Sequence, residues 1–217
     1  SGESKGFPND FNRIIEKLHL DPKSDIDTFE LLWKAYQFGS NAHKDQMRKS
    51  GKPYFTHCAA VGQILAEWNM DPDTIIGGLL HDTIEDTLVT KKDIIDNFNE
   101  DVAELVEGVS KLSGIKFNSR QEKQAENFMK MLLSVAKDLR VIVIKFADRL
   151  HNMNTIQHLP LIKQRRIAIE TRDVFAPLAH RLGMNKLKME LEDRVLKVLE
   201  PDVYKDLDKK FRSTRKE

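Results

Sequence analysis

Apolar residues recur every three or four positions along most of this 217-residue chain, and this spacing constrains the fold more than any other feature. The segment from Thr56 to Asn69 is typical: His57 and four apolar residues fall at offsets of 0, 4, 7, 8 and 11. Glycine occurs 10 times and proline 7 times, and few segments alternate with a period of two. The sequence therefore predicts an all-α fold.

One segment is ambiguous between helix and strand. The four β-branched residues at 141–144 could form a short buried strand. However, Leu150 and Met153 continue a helical stripe beyond them. This longer pattern favours a helix over 139–155.

Capping residues mark several of the predicted helix starts. Asp71-Pro72 combines an N-cap with a proline at the first helical position, and the helix that it begins is predicted to reach about Asp86. Thr90 and Asn99 are further caps, and another helix is predicted over 120–137. The chain is interpreted as one helical domain with a helical C-terminal extension.

Composition excludes several classes of protein. The 35 basic and 34 acidic residues give a net charge of +1, which argues against a generally basic nucleic-acid binder, and no aromatic-basic platform is visible. The longest apolar stretch, 75–80, is far shorter than the roughly 20 residues of a membrane span. Cys58 is the single cysteine, which excludes an intrachain disulfide and fits a reducing compartment. We expect a cytoplasmic protein without membrane or direct nucleic-acid contacts.

Hard metal ligands are concentrated in three short stretches among apolar residues: His57, His81-Asp82 followed by Glu85-Asp86, and Asp148. On one continuous helix, Asp82 and Asp86 lie four residues apart and repel each other, and burying them is costly without a counter-charge. A divalent cation removes both problems, and imidazole with carboxylate ligands suits Mn, Fe, Zn or Co better than Ca. The structural alternative is a hydrogen-bonded core histidine at His81 and a solvated helix end at Glu85-Asp86.

The order His, His-Asp, Asp resembles the HD metal-dependent phosphohydrolase superfamily. The sequence motifs around these residues are more specific. These motifs are RKSGKPY at 48–54, LLHDTIEDT at 79–87, DRLHNM at 148–153 and ELED at 190–193. They resemble the hydrolase domain of the RelA/SpoT alarmone family. The resemblance covers the chain from about Phe29 to Tyr204.

The resemblance also implies a domain organisation. It predicts an N-terminal helical segment over 1–24, an HD hydrolase domain over 25–180 and a helical linker over 181–217. The segment APLAHRLG at 176–183 is similar to the helices that lead into a synthetase domain in long family members. We therefore expect the chain to be an N-terminal portion of a longer enzyme that carries a synthetase domain. Because the chain begins without Met, we also expect that its natural N-terminus is missing.

For the chemistry, the resemblance implies removal of the 3′-pyrophosphate from (p)ppGpp, with Mn²⁺ as the metal. By motif match, four residues would hold the ion: His57, His81, Asp82 and Asp148. The catalytic pair that positions or deprotonates water, or protonates the departing oxygen, would be Glu85 and Asp86. The residues matching substrate-binding positions are Arg48, Lys49, Ser50, Asn152 and Thr155. Either carboxylate of the catalytic pair could be the base.

The sequence departs from the family pattern at two positions. Cys58 follows the first metal-binding His, where the family often has Pro, and we interpret it as a packing residue. Asn154 stands where the family usually has Arg, which puts substrate affinity or a local salt bridge in doubt. His151 is predicted to be structural or exposed, and Tyr54 fits a site or a core role equally well.

Two other functions remain open at this point. The domain could be an HD phosphohydrolase of another nucleotide, such as a dNTP or a cyclic nucleotide. The absence of His between residues 83 and 147 weakens the cyclic-nucleotide version, since such two-metal enzymes often carry extra His ligands there. The domain could also be a silent hydrolase that regulates an attached synthetase, although both the His-Asp and the Glu-Asp pairs are intact.

Overall fold

The structure is a computed structural model, and it describes residues 6–21, 23–113 and 138–214. Within these ranges the regular structure is helical, which confirms the predicted all-α fold. The α-helices are α1 (Asn9–Leu18), α2 (Ile26–Ala42), α3 (Phe55–Glu67), α4 (Pro72–Leu80), α5 (Thr83–Asp86), α6 (Lys91–Asn97), α7 (Glu100–Ser113), α8 (Leu139–Asn154), α9 (Leu161–Glu170), α10 (Ala176–Arg181), α11 (Asn185–Leu199) and α12 (Pro201–Thr214). A 3₁₀ turn covers Ile156–His158, and a π-helical turn covers Thr171–Phe175.

The predicted helix starts are present. The Asp71 carboxylate accepts a hydrogen bond from the Thr74 backbone N–H at 3.2 Å, with Pro72 in the first turn. Thr90 forms a capping box with Asp93, and Asn99 accepts from the Val102 N–H at 2.8 Å. These bonds satisfy backbone donors that the first turn of a helix leaves unpaired, so each helix begins where its cap lies.

The chain divides into two compact units. Among the described residues, the first unit runs from 6 to 113 and from 138 to 151, and the second from 152 to 214. The predicted domain boundaries at 24/25 and 180/181 stay predictions. No described helix is long and apolar enough to cross a membrane.

Helix α4 is the centre of the first unit. It packs against α2, α3 and α7, and every residue from Thr74 to Leu80 is buried. Gly78 permits the close approach of α3, since a Cβ at this position would lie 2.4 Å from Leu65 Cδ1. Because α4 is surrounded by other helices, its C-terminal end is held firmly in the interior.

The second unit is a small helical assembly. Helices α9, α10 and α11 pack with the π-helical turn, and α12 packs on α11. On α11 the buried residues Leu187, Leu191 and Val195 recur at helical spacing, so they form one buried face.

The structure confirms one predicted helix and shortens another. Residues 139–154 form helix α8, so the helical interpretation of the ambiguous segment is confirmed. The helix that begins at Pro72 was expected to continue to about Asp86, and this prediction is wrong: α4 ends at Leu80 and α5 begins at Thr83. Asp82 has φ −95° and ψ −2°, outside ideal helical geometry, and the Thr83 hydroxyl donates to the Leu80 carbonyl at 2.7 Å. The predicted helix over 120–137 lies outside the described residues.

Candidate metal centre

Three separate elements of the first unit bring four ionisable side chains together. His57 is the third residue of α3, His81 and Asp82 form the turn between α4 and α5, and Asp148 lies in the middle of α8. The two imidazoles and Asp148 are 1–5% exposed, and the side chain of Asp82 is 15% exposed. The break in the helix at His81-Asp82 lets two consecutive side chains serve one site.

The distances among these side chains suit a single ion. His57 Nε2 lies 3.1 Å from Asp148 Oδ1, and His81 Nε2 lies 3.1 Å from Asp82 Oδ2. The two remaining His–Asp distances are 3.8 Å and 3.9 Å. Two ligand atoms that each lie about 2.1 Å from one ion are about 3.0 Å apart at a right angle and about 4.2 Å apart when opposite.

The second nitrogen of each imidazole has a partner that leaves Nε2 for the centre. His81 Nδ1 lies 2.7 Å from the Gly78 carbonyl oxygen, and His57 Nδ1 lies 2.7 Å from His151 Nδ1. Metal-binding histidines commonly use one nitrogen in this way, which fixes the ring and directs the other nitrogen at the ion. His81 Nε2 is buried and makes no hydrogen bond, since the nearby Asp82 oxygen lies outside hydrogen-bonding geometry. A cation would satisfy this orphaned atom and both carboxylates.

The electrostatics among these side chains favour positive charge at the centre. Burial lowers the pKa of His81, but the charges of Asp82 and Asp148 outweigh it and raise this pKa to about 9. Burial likewise opposes ionisation of Asp82, but His81 lowers its pKa to about 2. The pKa of His57 is lowered, chiefly because it is buried. A proton on His81 thus balances charge where an ion would otherwise do so.

A family model described as an HD domain matches residues 35–185 of this sequence, more than two thirds of its length. The chain belongs to the HD domain family. HD domains depend on a metal ion, and the buried His57, His81 and Asp148 have ligand atoms within 4.8 Å of one another. The cluster is therefore the place where this HD domain can hold an ion.

Curated relatives are about half identical to this chain over the region that aligns with it. A GTP pyrophosphokinase of Myxococcus xanthus is 46% identical over 206 residues, which are 94% of this chain and 27% of the relative. The bifunctional (p)ppGpp synthase/hydrolase SpoT of Escherichia coli K12 is 49% identical over a region that covers 88% of this chain and 28% of SpoT. A guanosine-3′,5′-bis(diphosphate) 3′-pyrophosphohydrolase of Vibrio cholerae is 50% identical over 87% of this chain and 27% of its own. These relatives confirm the resemblance to the RelA/SpoT family, and the chain spans about a quarter of their length.

A solved structure has the same fold. It is described as a metazoan orthologue of SpoT that hydrolyses ppGpp and plays a role in starvation responses. It superposes with a TM-score of 0.58, covering 88% of this chain and 97% of its own, at 23% identity.

We call His57, His81, Asp82 and Asp148 the HD cluster. Two residues beside it were not assigned to the site from the sequence. The ammonium of Lys145 lies 2.6 Å from Asp148 Oδ2 and 3.0 Å from Ser113 Oγ, so it holds the Asp148 oxygen that faces away from the imidazoles. His151, expected to be structural or exposed, is half-buried against His57. Burial and His57 lower the pKa of His151 to about 3, which keeps its ring neutral. Their spacing on α8, three residues before and after Asp148, is the signal that could have identified them.

The carboxylates of Glu85 and Asp86 lie on the exposed side of the HD cluster. Both belong to the short helix α5, directly after the His81-Asp82 turn. Burial, followed by the charges of Asp86 and Asp82, raises the pKa of Glu85. The hydroxyl of Tyr54 lies 2.8 Å from Asp82 Oδ2 and 3.1 Å from Asp86 Oδ2, which places Tyr54 at the site.

The predicted substrate-binding residues of the first unit occupy a tight loop before α3. An antiparallel bridge joins Met47 to Pro53, and the Arg48 N–H donates to the Lys52 carbonyl at 2.8 Å. Gly51 has a φ of +79°, which the turn requires and which other residues rarely adopt. Lys49 is exposed, whereas Arg48 is half-buried and its charge, after burial and His57, helps to lower the pKa of His151. Arg48 therefore lies near the cluster.

The remaining predicted residues lie elsewhere. Asn152 lies in the last turn of α8, which ends at Asn154, and Thr155 directly follows the helix. Both Asn152 and Thr155 are half-buried residues of the second unit. Their role at the nucleoside stays a prediction. Asn154, one of the departures from the family pattern, accepts a hydrogen bond from Arg194 Nε at 2.7 Å. Cys58 is fully buried, and burial raises the pKa of its thiol, consistent with a packing residue.

Proposed function

We propose that this HD domain hydrolyses the 3′-pyrophosphate of (p)ppGpp, giving GDP or GTP and pyrophosphate. The single observation that carries the proposal is a cluster in which the Nε2 atoms of His57 and His81 lie 3.1–3.9 Å from carboxylate oxygens of Asp82 and Asp148. A second pair of carboxylates, Glu85 and Asp86, follows the His81-Asp82 turn. The names of relatives that are 49–50% identical support this substrate.

The proposal gives each group of residues a task. His57, His81, Asp82 and Asp148 would hold the ion, which when bound would lower the pKa of a water molecule and offset negative charge on the phosphoryl oxygens. Glu85 and Asp86 share the orientation and deprotonation of that water and the protonation of the leaving oxygen. Because two crowded carboxylates differ in proton affinity, one pair can supply both an acid and a base.

Substrate recognition is assigned to the loop before α3 and to the end of α8. Arg48 can stack on the guanine or grip a phosphate with its planar guanidinium, and Lys49 adds a point charge for the pyrophosphate. The polar groups proposed to surround the nucleoside are Ser50, Asn152 and Thr155. A polyanionic substrate fits a site whose carboxylates are offset by an ion and two basic side chains.

We further propose Mn²⁺ as the ion, because imidazole and carboxylate ligands suit it and the family resemblance implies it. The relatives are more than three times as long as this chain, and one of them is named as bifunctional, which supports an attached synthetase domain in the full-length protein. The cytoplasmic location stays a prediction.

The test is to incubate the metal-loaded chain with ppGpp and to identify the products. We expect GDP and pyrophosphate in equal amounts, and no turnover after chelation. Glu85→Gln and Asp86→Asn should lower kcat by about 10²–10⁴-fold, while each still binds Mn²⁺. Asp96→Asn, which removes an exposed carboxylate paired with Lys92 on α6, is the matched control and should retain full activity.

The alternatives predict other results. Cleavage of a dNTP or a cyclic nucleotide without cleavage of ppGpp would identify an HD phosphohydrolase of a different nucleotide. A chain that binds Mn²⁺ and cleaves none of these nucleotides would be a regulatory HD domain. Equal metal content in the wild type, His81→Ala and Asp148→Asn would remove the basis for the site itself.

A further inference from the structure

The hydroxyl of Tyr54 lies between two carboxylates that have different assigned tasks. It is 2.8 Å from Asp82 Oδ2, on the proposed ligand side, and 3.1 Å from Asp86 Oδ2, on the proposed catalytic side. Asp82 Oδ2 is also the oxygen that faces His81 Nε2 at 3.1 Å. The phenol thus contacts the same carboxylate oxygen that is aimed at the metal centre.

Tyr54 is itself held by its surroundings on the other side. Its ring stacks on His43, with centroids 4.9 Å apart and an angle of 28° between the planes. Its backbone N–H donates to the Gln46 carbonyl at 2.9 Å. His43 is 1% exposed and belongs to the end of α2, so the tyrosine ring rests on a fixed part of the core.

Gln46 completes the connection. Its side-chain amide donates to the Asp86 backbone carbonyl at 2.6 Å, and its side-chain oxygen lies 2.8 Å from His43 Nδ1. Gln46 therefore reaches the backbone of Asp86, whereas Tyr54 reaches the carboxylates of both Asp82 and Asp86. We call His43, Gln46 and Tyr54 the brace.

The brace lies at the base of the loop that carries the proposed substrate-binding residues. Gln46 and Tyr54 flank this loop, and the Met47–Pro53 bridge closes it between them. A phenol has one proton to donate, so the Tyr54 hydroxyl shares it between Asp82 Oδ2 and Asp86 Oδ2, both within hydrogen-bonding distance. The arrangement ties the loop, the ligand carboxylate and the catalytic carboxylate together.

We propose that Tyr54 is a positioning residue that sets Asp82 for metal binding and Asp86 for catalysis, with Gln46 fixing the backbone of Asp86. The part of this inference that concerns Asp86 rests on the proposed function. The part that concerns Asp82 requires only that Asp82 binds the metal ion. Loss of the Tyr54 hydroxyl should therefore affect both metal affinity and turnover. Loss of the Gln46 amide should affect turnover alone.

The experiment compares Tyr54→Phe and Gln46→Ala with Tyr36→Phe in the full chain. Tyr36 is a matched control, because its hydroxyl donates to the Asp10 carboxylate at 2.8 Å, away from the cluster. Mn²⁺ affinity is measured by calorimetry, and kcat and KM with ppGpp at saturating Mn²⁺. Tyr54→Phe should weaken Mn²⁺ binding about tenfold, the lower end of the effect of losing a group that orients a ligand, and should lower kcat more than it changes KM.

Gln46→Ala should lower kcat and leave the Mn²⁺ affinity within twofold of the wild type, and Tyr36→Phe should change neither. Wild-type Mn²⁺ affinity and kcat in Tyr54→Phe would overturn the inference, and so would equal losses in Tyr36→Phe. If Tyr54→Phe does not fold, an unchanged kcat in Gln46→Ala would overturn it, and a lower kcat at unchanged Mn²⁺ affinity would support it. If the wild type does not cleave ppGpp, the proposed function fails, and the Mn²⁺ measurements decide the role of Tyr54 by themselves.

Discussion

Adding Mn²⁺ to the ion-free chain should raise its melting temperature, because the proposed ligands meet only in the folded protein. His57, the His81-Asp82 turn and Asp148 come from three distant parts of the sequence. Their donor atoms converge to 3.1–3.9 Å in the fold, whereas an unfolded chain has no preformed site. An ion that binds the folded state alone must stabilise it.

The size of the effect follows from linkage. At a free Mn²⁺ concentration 100 times Kd, the stabilisation is about 2.7 kcal/mol, and each further tenfold increase adds about 1.4 kcal/mol. For a chain of roughly this size, 1 kcal/mol shifts the melting temperature by about 2–4 °C. The expected rise is therefore about 5–11 °C at 100 times Kd.

Differential scanning fluorimetry of chelator-treated protein across a Mn²⁺ titration measures this rise. Asp148→Asn replaces the buried carboxylate of a proposed ligand by an amide and should remove most of the rise, whereas Asp96→Asn changes an exposed carboxylate in the same way and should retain it. Equal rises in Asp148→Asn and the wild type would refute the reasoning. A wild type that does not respond to millimolar Mn²⁺ would refute it as well.

Three further perturbations test the packing around the site. Gly39→Ala places a Cβ 2.6 Å from Phe55 Cε2 and 3.0 Å from the Leu79 carbonyl oxygen, so urea unfolding should show a loss of about 1–2 kcal/mol, whereas Ser40→Ala on the same helix should show none. Cys58 is fully buried with a raised thiol pKa, so a thiol reagent should label it slowly until urea is added; rapid labelling of the native protein would contradict this. Asp71→Ala should cost about 1 kcal/mol of stability through the lost α4 cap, while Asp71→Asn should retain most of it, and equal losses in the two variants would argue against capping.

The fold was predictable from the sequence wherever local signals agree. Apolar periodicity is sufficient to identify the helix over 139–154, despite its β-branched start, because the stripe continues well beyond it. The starts of α4 and α6 follow from caps that act within one turn. The end of α4 was not predictable in this way, since the turn at His81-Asp82 has no glycine or proline to mark it.

The candidate site was also predictable from the sequence only in part. The identity and order of His57, His81, Asp82 and Asp148 are properties of the sequence, because ligand chemistry depends on residue type and the motif words surround each residue. Which nitrogen of each imidazole faces the centre depends on partners such as the Gly78 carbonyl and His151. The Gly78 carbonyl lies only three residues before His81, but His151 is 94 residues from His57 and becomes its partner only when the folded chain brings the two together.

Residue types and their helical spacing thus determined the all-α class and a list of candidate ligands for this HD domain. The tertiary structure alone placed Tyr54 between Asp82 and Asp86. The physical reason is range: caps and periodicity act over a few residues of one helix, whereas the hydrogen bonds from Tyr54 to Asp82 and Asp86 span about 30 residues of sequence and exist only after the helices have packed.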